Sequence, residues 1–150
     1  MARPNWHQYF MTIAEKVADR ATCPRASVGA VIVKNNRIVA TGYNGALPGY
    51  KHCTEIGCEM VDNHCQRAIH AEANAVAQAA KFGTAIEGAS IYYYDSQKRP
   101  FGSCVKCLQI IEAAGIAAVY YLDTANNIYC TQGFSSMYPA TSIHTILVKP

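Results

Sequence analysis

Between Ser90 and Leu122 the chain reads strand, helix, strand, and no other feature constrains the fold as tightly. Ser90 to Tyr94 predicts a strand, Cys104 to Ala114 a helix closed by Gly115, and Ala117 to Leu122 a second strand. A crossover of this kind makes its two strands parallel and lays the helix on one face of the sheet. The segments ahead of it extend the sheet. Val28 to Val33 and Arg37 to Tyr43 are rich in β-branched residues and flank Asn35-Asn36, a pair that accepts the positive φ of a tight hairpin. Trp6, Tyr9, Phe10, Ile13 and Val17 recur at helical spacing, which predicts an amphipathic first helix over Asn5 to Arg20, with Pro4 at a tolerated starting position. The alanine-rich stretch from Ala71 to Phe82 predicts another helix ending before Gly83. Ile143 to Val148 could form a last strand, whereas Tyr129 to Ala140 has no clear period. The expected fold is α/β, a three-layer α/β/α arrangement with a mixed five-stranded sheet covered by helices.

Gly45 to Ile69 breaks this regularity with Gly, Pro, His and Cys and reads as a long irregular loop, of a length that is usually functional in a compact domain. With 150 residues, 51% of them hydrophobic, a single domain over residues 1–150 can bury about two thirds of its unfolded surface. The net charge of +3 is dispersed, and Lys98-Arg99 is the one adjacent basic pair. A nucleic-acid partner is therefore not expected, because polynucleotide affinity depends on clustered basic groups. No apolar run reaches the roughly 18 residues of a membrane span and the N-terminus has no signal-peptide core, so a cytoplasmic location without membrane association is expected. The seven cysteines are odd in number, and Cys104-Val105-Lys106-Cys107 has a metal or redox spacing rather than that of a disulfide framework.

His70-Ala71-Glu72 opens one predicted helix and Cys104 with Cys107 opens the next. One imidazole and two thiolates, with a fourth position left to water, make the open tetrahedral set of a catalytic zinc ion. Zinc lowers the pKa of bound water to about 7, and Glu72, two residues after a ligand, can carry the proton to a substrate ring nitrogen and then to departing ammonia. The general zinc-deaminase pattern is His-x-Glu followed downstream by Pro-Cys-x-x-Cys. Here Ser103 stands where that proline is expected, with Pro100 nearby.

At these residues the chain resembles the deoxycytidylate (dCMP) deaminases of the cytidine deaminase-like superfamily. The resemblance runs from about Trp6 to Tyr121. It is carried by Thr22-Cys23-Pro24-Arg25-Ala26-Ser27-Val28-Gly29-Ala30, Gly42-Tyr43-Asn44-Gly45, His70-Ala71-Glu72-Ala73-Asn74-Ala75 and Cys104-Val105-Lys106-Cys107. It implies deamination of dCMP to dUMP, the dTMP precursor, by a bacterial protein or a phage protein in its host's cytoplasm. It further implies Asn44 in contact with the nucleoside, Arg25 and Ser27 near the substrate, and a homo-oligomer, in many members a hexamer. Activation by dCTP and inhibition by dTTP through a separate Mg2+-dependent effector site also follow from it. Some phage members hold a second, structural Zn2+ at positions matching Cys23, Cys53 and His64. The chain departs from the family around Asp95 to Gly102, a stretch inserted just before the zinc cysteines and expected to rim the active site.

Other readings stay open on the sequence alone. Arg25 is also explained as a solvated loop residue, and Asn44 as the turn residue of Tyr43-Asn44-Gly45. Cys23, Cys53, Cys58 and Cys65, with His52 and His64, are either a second zinc site or satisfied core thiols. Free cytidine, guanine or a base within RNA are alternative substrates. A zinc module that has lost catalysis and survives as a regulatory subunit is the alternative from another class, and an intact Glu72 argues against it.

Overall fold

The computed structural model describes residues 2–99, 104–132 and 144–149. Helix α1 (Trp6–Ala18) is capped by Asn5, whose side chain accepts from the Gln8 backbone while the Gln8 side chain answers to the Asn5 N–H. Strands β1 (Val28–Lys34) and β2 (Arg37–Tyr43) form the expected hairpin, with Asn35 and Asn36 at φ 53° and 57° in its turn. The segment that reads as an irregular loop contains a short helix, α2 (Cys53–Ile56), and a small hairpin of β3 (Met60–Val61) and β4 (His64–Cys65). Its turn residues Asp62 and Asn63 have φ of 50° and 62°, the left-handed pair that closes a tight hairpin.

Helix α3 (Ala71–Lys81), strand β5 (Ser90–Asp95), helix α4 (Val105–Ala113) and strand β6 (Ala118–Leu122) follow, and β5 and β6 are parallel. The sheet then gains β7 (Ile128–Gln132) and β8 (His144–Leu147), both antiparallel to their neighbours. Among the described residues it is a six-stranded mixed sheet in the order β2-β1-β5-β6-β7-β8, one strand more than the five expected. The added strand is β7. Only Cys130 and Thr131 of it are buried, and as neighbours in sequence they leave no alternating pattern to read. The turn before it is made by Asp123, whose Oδ1 accepts from the backbone N–H groups of Ala125 and Asn127. The remainder of the unpatterned stretch up to Ala140 lies outside the described residues.

Helix α1 covers one face of the sheet and α3 with α4 the other, which makes the expected three layers. Strand β1 is buried on both faces: Val28, Ala30 and Ile32 point toward α3, Val31 and Val33 toward α1. Two glycines set how closely the helices approach. A Cβ on Gly29 would collide with backbone atoms of Ala14 and Ala18 in α1, and one on Gly42 with Ala71 and Ala75 in α3. The α3 face answers with Ala71, Ala75 and Ala79, spaced four apart and at most 2% exposed. Helix and strand backbones thus meet almost directly, which brings the N-terminus of α3 down onto the sheet. No helix among the described residues is long and apolar enough to cross a membrane.

Candidate active site

His70 is the N-cap of α3 and Cys104 the N-cap of α4, both in extended backbone, so each helix presents its first turn toward the other. Cys107 follows one turn into α4 and is buried. Donor atoms of His70, Cys104 and Cys107 all lie within 4.8 Å of one another, and His70 Nδ1 is 3.1 Å from Cys107 Sγ. Donors around a tetrahedral zinc ion, at Zn–N and Zn–S bonds of about 2.0 and 2.3 Å, stand roughly 3.3–3.8 Å apart, so the trio fits such an ion with little movement. In the protein alone, burial pushes the Cys107 thiol up. A bound cation, together with the positive ends of two helices, favours the thiolate instead.

Glu72 is in the first turn of α3, only 5% exposed, and its carboxylate accepts from the Cys107 thiol. Burial pushes its carboxyl up to about 7, and the nearby Asp95 charge adds to the effect. His70, Glu72 and Cys104 line a cavity of about 270 Å3, together with Arg25, Asn44 and Tyr93. Three of the expected four, His70, Glu72 and Cys104, therefore line one cavity, Cys107 lies directly against His70, and Glu72 is the one carboxylate lining the cavity among the described residues.

The expected substrate residues are placed differently from one another. Asn44 lines the cavity, but its carboxamide also ties the chain: Oδ1 accepts from Val28 N at 2.9 Å and Nδ2 donates to Ala26 O at 2.8 Å. Arg25 lines the cavity and donates through Nη1 to Met60 Sδ at 3.5 Å. Ser27 is not among the lining residues; its N–H donates to Ser96 Oγ and its carbonyl accepts from Ser96 N, each at 2.9 Å.

Of the residues expected to hold a second metal, Cys23 and His64 line the cavity, whereas Cys53 gathers with Cys58 and Cys65, sulfurs within 4.8 Å of one another. Cys53 Sγ and Cys65 Sγ are 3.6 Å apart, and all of these cysteines are free thiols. Burial drives the Cys53 thiol up to about 12. Burial acts on Cys65 in the same direction, but hydrogen bonds from the backbone of Ala68, Glu59 and Arg67 outweigh it and hold that thiol at about 7. His52, the other histidine of this region, is engaged with Thr22 Oγ1 at 2.9 Å.

Tyr93, Gln97 and Arg99 also line the cavity and were not singled out as site residues from the sequence. Tyrosines 92 to 94 form one run, but the alternation of β5 sends Tyr92 to the α1 face and Tyr93 to the cavity. For Arg99 the available signal was its place in the only adjacent basic pair of the sequence. Ser103, Pro100 and the rest of the expected insertion to Gly102 lie outside the described residues.

One imidazole and two sulfurs around an open position, faced by a buried carboxylate, make up the donor set of a hydrolytic zinc centre. The profile of the cytidine and deoxycytidylate deaminase zinc-binding region matches residues 4–123. The chain belongs to that family. It is 47% identical over 123 residues to the ComE operon protein 2 of Bacillus subtilis, an alignment covering 82% of this chain and 62% of that one. It is 36% identical over 132 residues to the deoxycytidylate deaminase of Mycobacterium phage D29, covering 81% and 97%. The dCMP deaminase of cyanophage S-TIM5, solved in complex with dCMP and dUMP, superposes with a TM-score of 0.65 at 31% identity, covering 81% of this chain and 83% of that one. The chain thus spans under two thirds of the Bacillus relative and nearly all of the phage D29 protein.

Proposed function

We propose that this protein is a single-domain zinc enzyme that deaminates dCMP to dUMP in the cytoplasm. The observation that carries the reading is the convergence of His70, Cys104 and Cys107 donors beside buried Glu72 at the cavity. Likeness to two phage dCMP deaminases, one of them solved with dCMP and dUMP, supports the choice of substrate. His70 and the two cysteines would hold the zinc ion, which when bound supplies an activated water at neutral pH. Glu72 takes the proton of the attacking water and delivers it to N3 of the cytosine ring, then protonates the departing amino group. Asn44, Arg25 and Ser27 form the substrate side: Asn44 faces the nucleoside, Arg25 offers a cation at the cavity, and Ser27 anchors the strand entry beside them.

The test is ammonia release from zinc-loaded protein offered dCMP, dCTP, deoxycytidine and cytidine separately. Preference for dCMP supports the reading. Turnover confined to another substrate would move the assignment within the family, and no turnover would favour a regulatory module.

A second, structural zinc is part of the proposal. Cys53 belongs both to the set expected from the resemblance, with Cys23 and His64, and to the trio with Cys58 and Cys65. The gathering of three sulfurs supports the trio as donors, with Cys23 in electrostatic range of Cys58. Two zinc ions per chain are expected by elemental analysis, and one would remove the second site. A homo-hexamer activated by dCTP with Mg2+ and inhibited by dTTP completes the reading. Sedimentation of the protein, and dCMP saturation curves with and without those nucleotides, test assembly and regulation.

A further inference from the structure

Five residues after β5 begins, the chain places a buried carboxylate in an unusual position. Asp95 is 3% exposed, and its oxygens accept from three donors: Gln97 N at 2.8 Å, the Tyr93 hydroxyl at 3.4 Å and Arg99 Nε at 2.6 Å. The turn that lets Arg99 fold back is closed by Lys98 N donating to Asp95 O at 2.8 Å, with Lys98 at φ 52°. Lys98 itself points away, its ammonium 4.3 Å from the centre of the Tyr94 ring. Of the adjacent basic pair, one cation is therefore turned off and the other is held in place.

Only the Nε edge of Arg99 is engaged by Asp95. Its side chain is 51% exposed, it lines the cavity, and its terminal nitrogens have no partner among the described residues. The same turn is fastened to the segment that carries Arg25. Gln97 Nε2 donates to Arg25 O at 2.8 Å, and Ser96 and Ser27 exchange two hydrogen bonds that continue the β1–β5 ladder. Two arginines from distant parts of the sequence thus come to one cavity on backbones that are bonded to each other.

We propose that Arg99, oriented by Asp95, is a specificity-determining residue that binds the 5′-phosphate of the nucleotide, opposite Arg25. The assignment rests on the nucleotide-deaminase reading above. A phosphate monoester carries a charge of about −1.5 to −2 at neutral pH and offers oxygens to planar guanidinium groups. A guanidinium whose Nε edge is already fixed gives up less side-chain freedom on binding than a mobile lysine. The buried aspartate thus serves as the positioning residue, and the inserted turn is the device that brings a second cation to the cavity.

The experiment compares wild-type, Arg99→Gln, Arg99→Lys and Asp95→Asn proteins, each checked for zinc content and circular dichroism. It measures kcat/KM on dCMP and on deoxycytidine, and the affinity for dUMP and for deoxyuridine by calorimetry. Arg99→Gln is expected to lower the preference for dCMP over deoxycytidine by about 10–100-fold, mostly through KM, with a matching loss in dUMP but not deoxyuridine affinity. Arg99→Lys should restore part of that preference, and Asp95→Asn should lose a smaller share of it. Equal losses on dCMP and deoxycytidine in Arg99→Gln would overturn the inference, since a residue that only neutralises Asp95 acts on both alike. An unchanged dCMP preference in that variant would overturn it as well, with the deaminase reading intact. A wild-type protein that releases no ammonia from dCMP would overturn that reading and this inference with it.

Discussion

The two faces of the sheet each seat a helix on a glycine, but they surround that contact with different side chains. Against α1 the layer is aromatic: Phe10 is 1% exposed, Trp6 stacks on it at 5.5 Å, and Tyr92 and Tyr120 stack at 4.7 Å with His7 over Tyr120 at 4.6 Å. Against α3 it is built from Ala71, Ala75 and Ala79 over the bare backbone of Gly42. On both faces a glycine lets the helix backbone settle onto the strand; what differs is the filling around that contact, large rings beside α1 and methyl groups beneath α3. The α3 face is the one that borders the cavity. His70 and Glu72 extend from the end of α3, so their placement follows from how near that helix lies to β2. The aromatic face holds the sheet together and contributes none of the cavity-lining residues discussed above.

That contrast can be broken most sharply at Glu72. Glu72→Gln preserves shape and removes the proton carrier, so kcat should fall by about 10²–10⁴-fold while zinc content and thermal midpoint stay near wild type. Comparable turnover in the variant would mean that the α3 face does not act through this carboxylate. On the opposite face, Phe10→Ala should cost about 3–5 kcal/mol in denaturant unfolding, yet leave kcat per folded molecule close to wild type. A large drop in kcat there would show that the aromatic layer also tunes the site.

A gentler comparison uses the same methyl group on both sides. Gly29→Ala and Gly42→Ala each push a helix off a strand, at a cost of about 1–3 kcal/mol in stability. The two should separate in their second effect: Gly42→Ala lowers zinc affinity and activity because α3 carries His70, whereas Gly29→Ala lowers stability alone. Equal loss of zinc in both would mean that the sheet moves as one body.

The smallest effect concerns His7, whose Nδ1 lies 2.7 Å from the Tyr92 hydroxyl. Burial lowers its pKa below 6.5, so on acidification the unfolded chain takes the proton first. The stability contributed by neutral His7 is fully present above 6.5 and drains away as pH falls toward the folded value. Unfolding curves between about pH 7 and pH 5 should therefore weaken more steeply for wild type than for His7→Gln. Parallel curves would show that His7 titrates alike in the folded and unfolded protein.

Much of this contrast was legible before the structure. The helical spacing of Trp6, Phe10, Ile13 and Val17 and the alanine-rich run after His70 are local patterns, and local patterns are what periodicity reads. The clustering of His70, Cys104 and Cys107 at two helix entrances was legible because their spacing is local to each helix start. Strand β7 was not, since it is held by pairing with its neighbours and buries only Cys130 and Thr131. The long loop hid its small hairpin because two-residue strands are too short to show alternation. Among the thiols, sequence alone could not tell that Cys53 faces Cys58 and Cys65 while Cys23 and His64 turn to the cavity.

The sequence by itself determined the order of elements, the parallel crossover from β5 to β6, and the identity of a nitrogen, two sulfurs and a carboxylate suited to zinc chemistry. These are properties of residue type and short-range spacing. Only the tertiary structure decided which cations accompany them: it took the β1–β5 ladder, extended through Ser27 and Ser96, to carry Arg99 to the cavity that Arg25 shares, and a buried Asp95 to aim it. Contacts between residues some seventy positions apart depend on strand register and burial, and neither is written in any local stretch of the chain.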